Sequence, residues 1–314
     1  MLDAAGPQAA RVLDLWWLTL AICLLVFVAV LVFVALALRR APRSEGPVAP
    51  DLSSLQAPER GARAAVGAAV AASAGLLIVL MLASFATDRA LANLPPPDLK
   101  IELTAHRWWW EARYDAADPS KTFTTANELH IPVGRTVLLE LKAADVIHSF
   151  WVPNLGGKKD LIPGRTASLA LRADKPGTYR GQCAEFCGAQ HAKMAVLVVA
   201  LPADEYDAWA LHQRTNAAEP SDKLQERGRN LFLTGTCAMC HAIQGTPANG
   251  RRAPDLTHLA GRRTLAAGTI PNTRGHLAGW ILDPQGIKPG VNMPSNPMPP
   301  EDLDALLAYL ESLE

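Results

Sequence analysis

The sequence predicts a multidomain protein in which a two-helix transmembrane hairpin precedes an all-β domain and an all-α domain. Three observations support this order: two long uncharged apolar runs in the first 90 residues, short strand-like stretches in the middle, and helical segments around a Cys-x-x-Cys-His motif near the C-terminus. We place the hairpin at residues 1–93, the β domain at 94–205, a linker at 206–221 and the α domain at 222–314.

Length and charge limit the classes of function. The chain has 314 residues, which suggests about two or three domains. Lysine and arginine together number 30, as do aspartate and glutamate, so the formal net charge is zero. Nucleic-acid-binding proteins usually carry an excess of basic residues. We therefore expect no nucleic-acid partner.

The two apolar runs predict membrane-spanning helices at about residues 15–38 and 64–87. Neither run contains a charged residue, and each is long enough to cross the hydrocarbon core of a bilayer. The second run is rich in alanine and glycine, so a buried helix of a soluble domain is the alternative for it. We expect the lipid bilayer to be a partner of this protein.

Arginines between the two runs predict the orientation. The N-terminal flank carries Arg11 alone, whereas the loop between the runs carries five arginines: Arg39, Arg40, Arg43, Arg60 and Arg63. Positive charge is retained on the cytoplasmic side, so the β and α domains are expected outside the cytoplasm, facing the periplasm in a bacterial inner (plasma) membrane. A cleaved signal peptide is not expected, because the positive charges follow the first run.

The middle of the chain predicts an all-β domain. Proline and glycine separate short alternating stretches that are typical of an antiparallel sandwich or barrel, for example residues 101–104, 136–141, 167–171 and 195–200.

Four of the five cysteines form two close pairs, and the first pair predicts copper. Cys183 and Cys187 are followed by His191 and Met194, a soft donor set that suits copper in electron transfer. A single copper of that type needs one thiolate, so a second cysteine predicts two bridged metal ions. His148, at a neighbouring strand end, is the candidate second imidazole. A disulfide, or a redox pair beside a buried core histidine, is the alternative.

The second pair predicts a covalent haem. Cys237-Ala-Met-Cys240-His241 is the attachment signature of c-type haem, with His241 as an axial ligand of the iron. A zinc site would need a second cysteine pair. Methionine is expected as the sixth ligand because it raises the potential of such haems. Met293 and Met298 both qualify chemically.

The first two segments resemble subunit II of haem-copper cytochrome c oxidases over residues 10–205. The resemblance rests on Asn127 to Gly134, Asp145 to Pro153, Ile162 to Arg165 and Gly181 to Met194. It implies a cupredoxin-like fold with a dinuclear copper centre of the CuA type. The implied ligands are the side chains of His148, Cys183, Cys187, His191 and Met194 and the backbone carbonyl of Glu185.

The same resemblance implies two further roles. The side chain of Glu185 would help to bind a magnesium ion at the interface with subunit I. Trp108 would be the residue that accepts electrons near the copper, and plain packing is the alternative for this tryptophan. The segment around Glu59 lacks the tryptophan and proline pattern of the family, so Glu59 is not assigned to a proton channel.

The C-terminal segment resembles small class I cytochromes c, which are all-α. The resemblance rests on Gly228 to Phe232, Ala253 to Leu256 and Leu307 to Leu310. In that family the ligand methionine lies well ahead of the last helix, which favours Met293, sixteen residues before Tyr309, over Met298, eleven before it. The carbonyl of Pro254 would accept a hydrogen bond from His241.

Together these features predict a caa-type subunit II. Electrons would pass from a cytochrome c-type donor through haem c and the copper pair to the haem of subunit I, where oxygen is reduced and protons are pumped. The partners would be subunit I and the other oxidase subunits.

The alternative is a membrane-tethered protein for copper assembly or delivery. Nitrous oxide reductase shares the copper motif, but it is soluble and rich in histidine, whereas this chain has eight histidines. Copper ligands also exclude a quinol-oxidase subunit.

Overall fold

The computed structural model describes residues 3–41, 59–91, 94–116 and 118–314. Arg43 of the predicted cytoplasmic loop lies outside the described residues. The chain forms two compact units, one of residues 10–93 and the other of residues 1–9 together with 94–314.

Two long helices form the first unit: α1 (Pro7–Arg40) and α2 (Arg60–Leu91). They contain 34 and 32 residues and, at about 1.5 Å per residue, are longer than the bilayer core of about 30 Å. Their large apolar side chains are exposed, Phe33 at 71%, for example. In water this surface would be unfavourable, and in lipid it is not. The predicted pair of helices is confirmed, and each extends beyond its predicted span.

The β domain has two main sheets. One has five strands in the order β3-β2-β1-β5-β8, and the other has three in the order β4-β10-β9. A short ladder joins β6 to β7. The strands are β1 (Leu99–His106), β2 (Trp109–Asp115), β3 (Phe123–Ala126), β4 (Glu128–Pro132), β5 (Val137–Ala143), β6 (His148–Phe150), β7 (Lys159–Leu161), β8 (Ala167–Leu171), β9 (Gly177–Gln182) and β10 (Ala195–Leu201).

The sheets are mixed, and this corrects the expected antiparallel pairing. Strand β1 runs parallel to β5, and β4 runs parallel to β10. Alternation of apolar residues sets which face of a strand is buried, but it carries no information on the direction of the neighbouring strand. Along β1 the side chains of Ile101, Leu103 and Ala105 are fully buried, and the two sheets confirm the prediction of an all-β domain.

A helix, α3 (Ala203–His212), occupies part of the segment expected to be a linker. Trp209 fixes it to the β domain: its ring stacks on His130 with centroids 4.2 Å apart and meets the edge of Tyr114 at 5.3 Å. Tyr206 and Ala210, one turn apart, are buried. The spacing of these three apolar residues on one helix face explains the difference from the expected polar connection.

The C-terminal domain is mainly helical, as predicted. Asp222 caps its first helix by accepting a hydrogen bond from the backbone N–H of Gln225 at 2.8 Å. Its helices are α4 (Lys223–Thr234), α5 (Arg274–Leu282), α6 (Pro284–Ile287) and α7 (Pro300–Glu311), and a two-residue ladder joins β11 (Thr264–Leu265) to β12 (Ile270–Pro271). The crossing of α4 and α7 is close at Gly228, where an added Cβ would lie 2.0 Å from the carbonyl oxygen of Ala305.

Replacement of Gly228 by alanine should destabilise the C-terminal domain by about 1–3 kcal/mol, because the methyl group would collide with the backbone of α7. Gly275→Ala is the matched control, since a Cβ there meets no atom within 4 Å. It should change the free energy of unfolding by less than about 0.5 kcal/mol. Unfolding in denaturant, followed by the absorbance of the C-terminal domain, measures the free energy of unfolding of both variants. Equal effects of the two substitutions would contradict this account of the helix crossing.

His130 should make the β domain sensitive to acid. Burial, and to a smaller extent the charge of Arg263, lowers the pKa of His130 to about 3 from its ordinary value of 6.5. The unfolded chain therefore binds a proton below pH 6.5 that the folded chain rejects, so stability falls as the pH falls from 6.5 towards 3. His130→Phe keeps a ring on Trp209 and cannot titrate. The melting temperature of the variant should fall less between pH 7 and pH 4.5, whereas parallel curves for the two proteins would refute the role of His130.

Candidate metal centres

The side chains predicted to bind copper converge in the β domain. The sulfurs of Cys183 and Cys187 lie 3.8 Å apart, too far for a disulfide and close enough to share metal ions. Nδ1 of His148 lies 3.8 Å from the Cys183 sulfur, and Nδ1 of His191 lies 3.6 Å from the Cys187 sulfur. The sulfur of Met194 is 3.8 Å from that of Cys187.

Two structural elements bring these ligands together. Strands β9 and β10 pair in antiparallel fashion, and the loop between them carries Cys183 to Met194. A backbone hydrogen bond of 2.9 Å from the N–H of Cys183 to the carbonyl of Met194 closes the base of that loop. His148 is the first residue of β6, and the N–H of Ala184 bonds to the carbonyl of Ser149 at 3.0 Å. The loop is thus fastened to the strand that supplies the other imidazole.

Hydrogen bonds orient the ligands from behind. Nε2 of His148 lies 2.9 Å from an Asp145 carboxylate oxygen, which leaves Nδ1 to face the sulfurs. Burial alone would lower the pKa of His148, but its hydrogen bonds to Cys183 and Asp145 raise it overall. A hydrogen bond from Cys187 lowers the pKa of Cys183 well below its ordinary value. One of the two sulfurs is therefore already favoured as a thiolate, the form that binds metal.

The donor set fits a closed copper site. Two sulfurs, two imidazoles and a thioether are soft to intermediate ligands, and copper in electron-transfer proteins takes this combination. His148, Cys183, Cys187 and Met194 are all buried, so the donors are shielded from water. The backbone carbonyl of Glu185 lies 3.3 Å from the Cys183 sulfur, in the place where a sixth donor is expected. The Glu185 side chain is half-buried.

The Cys-x-x-Cys-His motif lies beside a cleft whose lining includes His241, Pro254 and Leu310. The N–H groups of Cys240 and His241 both donate to the carbonyl of Cys237, at 3.1 and 3.0 Å, so the three side chains lie on one turn. Nδ1 of His241 is 2.7 Å from the carbonyl of Pro254, which confirms that predicted hydrogen bond.

Both proposed axial ligands line this cleft. His241 and Met293 are among its lining residues, together with apolar side chains such as Leu256 and Ile281. Met298 packs on the core of the C-terminal domain and is not among the cleft residues, within the part of the chain that the structure describes. The chain therefore offers a mainly apolar cleft with an imidazole and a thioether on its walls.

Trp108 lies between the two candidate sites. Its Nε1–H donates to the carbonyl of Cys187 at 2.9 Å, and the residue also lines the cleft that contains His241 and Met293. Cβ atoms added at Gly188 and Gly290 would lie 3.1 Å and 3.8 Å from its ring. The indole is therefore in contact with the copper-ligand loop on one side and the Met293 segment on the other.

Sequence reasoning missed the buried lysine at this contact. Lys288 is 1% exposed, and its Nζ donates to the carbonyls of Trp108 at 2.8 Å and Ala266 at 3.0 Å. Burial lowers the pKa of Lys288 to about 7; the neighbouring Cys187 raises it and Lys193 lowers it. A lysine in Ile-Lys-Pro-Gly has no sequence signal that separates it from a surface residue.

Comparisons with known proteins match both domains. A family model described as the periplasmic domain of cytochrome c oxidase subunit II covers residues 115–201, and one described as cytochrome c covers residues 225–314. Among solved structures, the periplasmic domain of subunit II of cytochrome oxidase from Bradyrhizobium japonicum is 30% identical, covers 39% of this chain and 97% of its own, and has a TM-score of 0.37.

Two curated relatives match across both domains. The cytochrome c oxidase subunit 2 of Bacillus sp. (strain PS3) is 32% identical over 260 residues, which cover 76% of this chain and 71% of the relative. The cytochrome c oxidase subunit 2 of Alkalihalophilus pseudofirmus is 36% identical over 320 residues, which cover 100% of this chain and 90% of the relative. This chain therefore belongs to the cytochrome c oxidase subunit II family and carries a C-terminal cytochrome c domain.

Proposed function

We propose that this subunit receives electrons at a haem c held by its C-terminal domain and passes them to a dinuclear copper centre in its β domain. Cys237 and Cys240 would hold the haem covalently, with His241 and Met293 as its axial ligands. His148, Cys183, Cys187, His191, Met194 and the Glu185 carbonyl would hold the copper pair. From there electrons would reach the haem of subunit I, where oxygen reduction is coupled to proton pumping.

The position of Trp108 is the observation that carries this proposal. One indole is hydrogen-bonded to the backbone of a copper ligand and also forms part of the wall of the haem cleft. Electron transfer between two centres needs a short separation and a rigid medium, and a side chain in contact with both candidate sites supports such a path. Copper thiolates and c-type haem carry the redox chemistry, while the chain holds and orients them.

Contacts of the N-terminal residues support a periplasmic location for both domains. The N–H of Ala5 donates to the carbonyl of Asn154 at 2.8 Å, and the N–H of Asp174 donates to the carbonyl of Ala5 at 2.7 Å. The residues before α1 therefore lie on the same side of the membrane as the β domain. Two candidate spans, with arginines in the segment between them, support a periplasmic location for that side. A soluble or membrane-bound cytochrome c is the proposed donor.

An apolar surface beside the copper ligands supports contact with subunit I. Phe186 is 76% exposed and Ile147 is 43% exposed, each next to a ligand in the chain. Exposed large apolar side chains at a functional site are typical of protein interfaces. The half-buried side chain of Glu185 lies between these ligands, where we propose that it binds magnesium at that interface.

The alternative of copper delivery is less well supported. A protein that hands copper to another must expose its ligands for exchange, whereas the cysteines and His148 here are buried and tied by hydrogen bonds. A second domain with its own haem cleft also has no role in delivery.

Metal analysis and rapid mixing test the proposed function on the purified oxidase complex. Two coppers and one covalent haem should be found for each copy of this chain, and the oxidised copper pair should give a mixed-valence electron paramagnetic resonance signal. On mixing with reduced cytochrome c, the haem of this chain should become reduced before the copper pair. One copper per chain, or reduction of copper ahead of haem, would refute the proposal.

Substitution of the two methionines tests the axial ligand. Met293→Leu should abolish the absorption of a low-spin methionine–histidine haem, because the thioether on the cleft wall is removed. Met298→Leu is the matched control and should leave that absorption unchanged, since its side chain packs on the domain core. The opposite pair of spectra would assign the ligand to Met298.

A further inference from the structure

The two soluble domains meet at two loops of the C-terminal domain. The first loop covers residues 263–268, and we call it the lower loop. Glu128 of the β domain accepts hydrogen bonds from the backbone N–H groups of Arg263 at 2.8 Å and Thr264 at 3.0 Å. The N–H of Ala195 donates to the carbonyl of Ala267 at 2.9 Å. These contacts hold the lower loop on strands β4 and β10.

The second loop covers residues 287–293 and contains Met293, so we call it the methionine loop. Nε2 of Gln190 donates to the carbonyl of Pro289 at 2.7 Å, and Nζ of Lys193 donates to that of Ile287 at 2.5 Å. Both donors lie in the copper-ligand loop. Val291 packs on the hydrophobic core of the β domain. The loop that carries the proposed haem ligand therefore rests directly on the loop that carries the proposed copper ligands.

The buried Nζ of Lys288 connects the two loops with the β domain. Its backbone belongs to the methionine loop, and its Nζ donates to Ala266 in the lower loop and to Trp108 in the β domain. Lys193, by contrast, is exposed at the edge of the same interface. An ammonium is removed from water only at a cost, which hydrogen bonds must offset. Removal of this ammonium would in turn leave the carbonyls of Trp108 and Ala266 without its hydrogen bonds.

We propose that Lys288 is a positioning residue that locks Trp108 against the methionine loop and so sets the distance between the haem and copper sites. The inference rests on the proposed function and adds to it a residue that binds neither cofactor. Lys288 itself undergoes no chemical change: one electron leaves the haem, the copper pair gains it, and no bond to Lys288 forms or breaks.

Hydrogen exchange in the oxidised holo-oxidase tests the lock without any electron flow. Lys288→Met keeps the length of the side chain and removes its donors. Loss of a hydrogen bond from a charged group should lower the ratio of docked to undocked interface by at least about tenfold. Amides of residues 107–109 and 287–291 should therefore exchange at least about tenfold faster, with the haem absorption and the copper resonance signal retained. Unchanged exchange would overturn the proposal.

Two further variants show whether the effect is specific to Lys288 and to its cationic donor. Lys223→Met changes an exposed lysine at the start of α4, and it should leave exchange at both segments as in the wild type. Lys288→Arg keeps a cationic donor and should restore most of the protection. Protection lost equally in Lys288→Arg and Lys288→Met would contradict the lock, because a cationic donor would then not be what holds the two segments together.

The haem potential supplies a readout that a purely structural role would not move. At pH 6, below the pKa of about 7, Lys288 carries a positive charge on the wall of the haem cleft. Its removal should favour the oxidised haem and lower the midpoint potential in Lys288→Met but not in Lys288→Arg or Lys223→Met. An unchanged potential in Lys288→Met would contradict a charged lock.

A measurement on the wild type covers the case in which Lys288→Met does not fold. If Lys288 ties the two segments, the amides of residues 107–109 and 287–291 open together and should share one free energy of opening after division by their intrinsic exchange rates. Different free energies of opening would overturn the proposal. Failure of the proposed function has a different signature: haem-to-copper transfer, triggered by flash reduction, would then be absent in the wild type itself. Where the wild type transfers electrons, Lys288→Met should retain most of that transfer, because a tenfold lower ratio of docked to undocked interface changes the docked fraction little while the docked form predominates.

Discussion

The antiparallel pairing of β9 with β10 is the interaction on which the copper site depends. It places Cys183 opposite Met194, and the hydrogen bond between their backbones closes the loop that holds the remaining ligands. Because β10 is buried over nearly its whole length, the base of the loop cannot shift without disturbing the core. The sheet therefore fixes the geometry of a site whose chemistry depends on small changes of shape.

The same loop also forms part of the surface on which the C-terminal domain packs. Gln190 and Lys193 reach from it to backbone carbonyls of the methionine loop, and Gly188 lies under the ring of Trp108. At Gly188 the backbone has φ of +111°, a conformation that favours glycine, and a side chain would push the indole away. This one short segment therefore carries the proposed copper ligands and also contacts the C-terminal domain.

Most of the fold and the ligand types could be predicted from the sequence, because each leaves a local signal. Uncharged runs predict spans, and the spacing of Cys183, Cys187, His191 and Met194 predicts a metal site by itself. The parallel pairing of β1 with β5 could not be predicted, since alternation is the same in either direction. Helix α3 was assigned to a linker because its flanking residues are polar, although Tyr206, Trp209 and Ala210 share one face.

Contacts between domains were beyond sequence reasoning for a different reason. Lys288 and Glu128 are charged residues, and in the structure both are buried and form hydrogen bonds that join the two domains. Their partners are mainly backbone groups, which are the same in every residue and leave no pattern to recognise. Trp108 could be identified through a resemblance, but its contact with the methionine loop could not.

Residues 213–222 connect α3 to α4 and so tether the C-terminal domain to the β domain. A tether converts docking into an intramolecular event, with an effective concentration of order millimolar for a short flexible connection. The interface can therefore be modest in strength and still be occupied nearly all the time, whatever the supply of soluble carriers. Since its hydrogen bonds run mainly to backbone groups and not between surface charges, ionic strength should affect it little. Electron transfer from the C-terminal domain to the proposed copper site would therefore not depend on a salt-sensitive encounter between separate proteins.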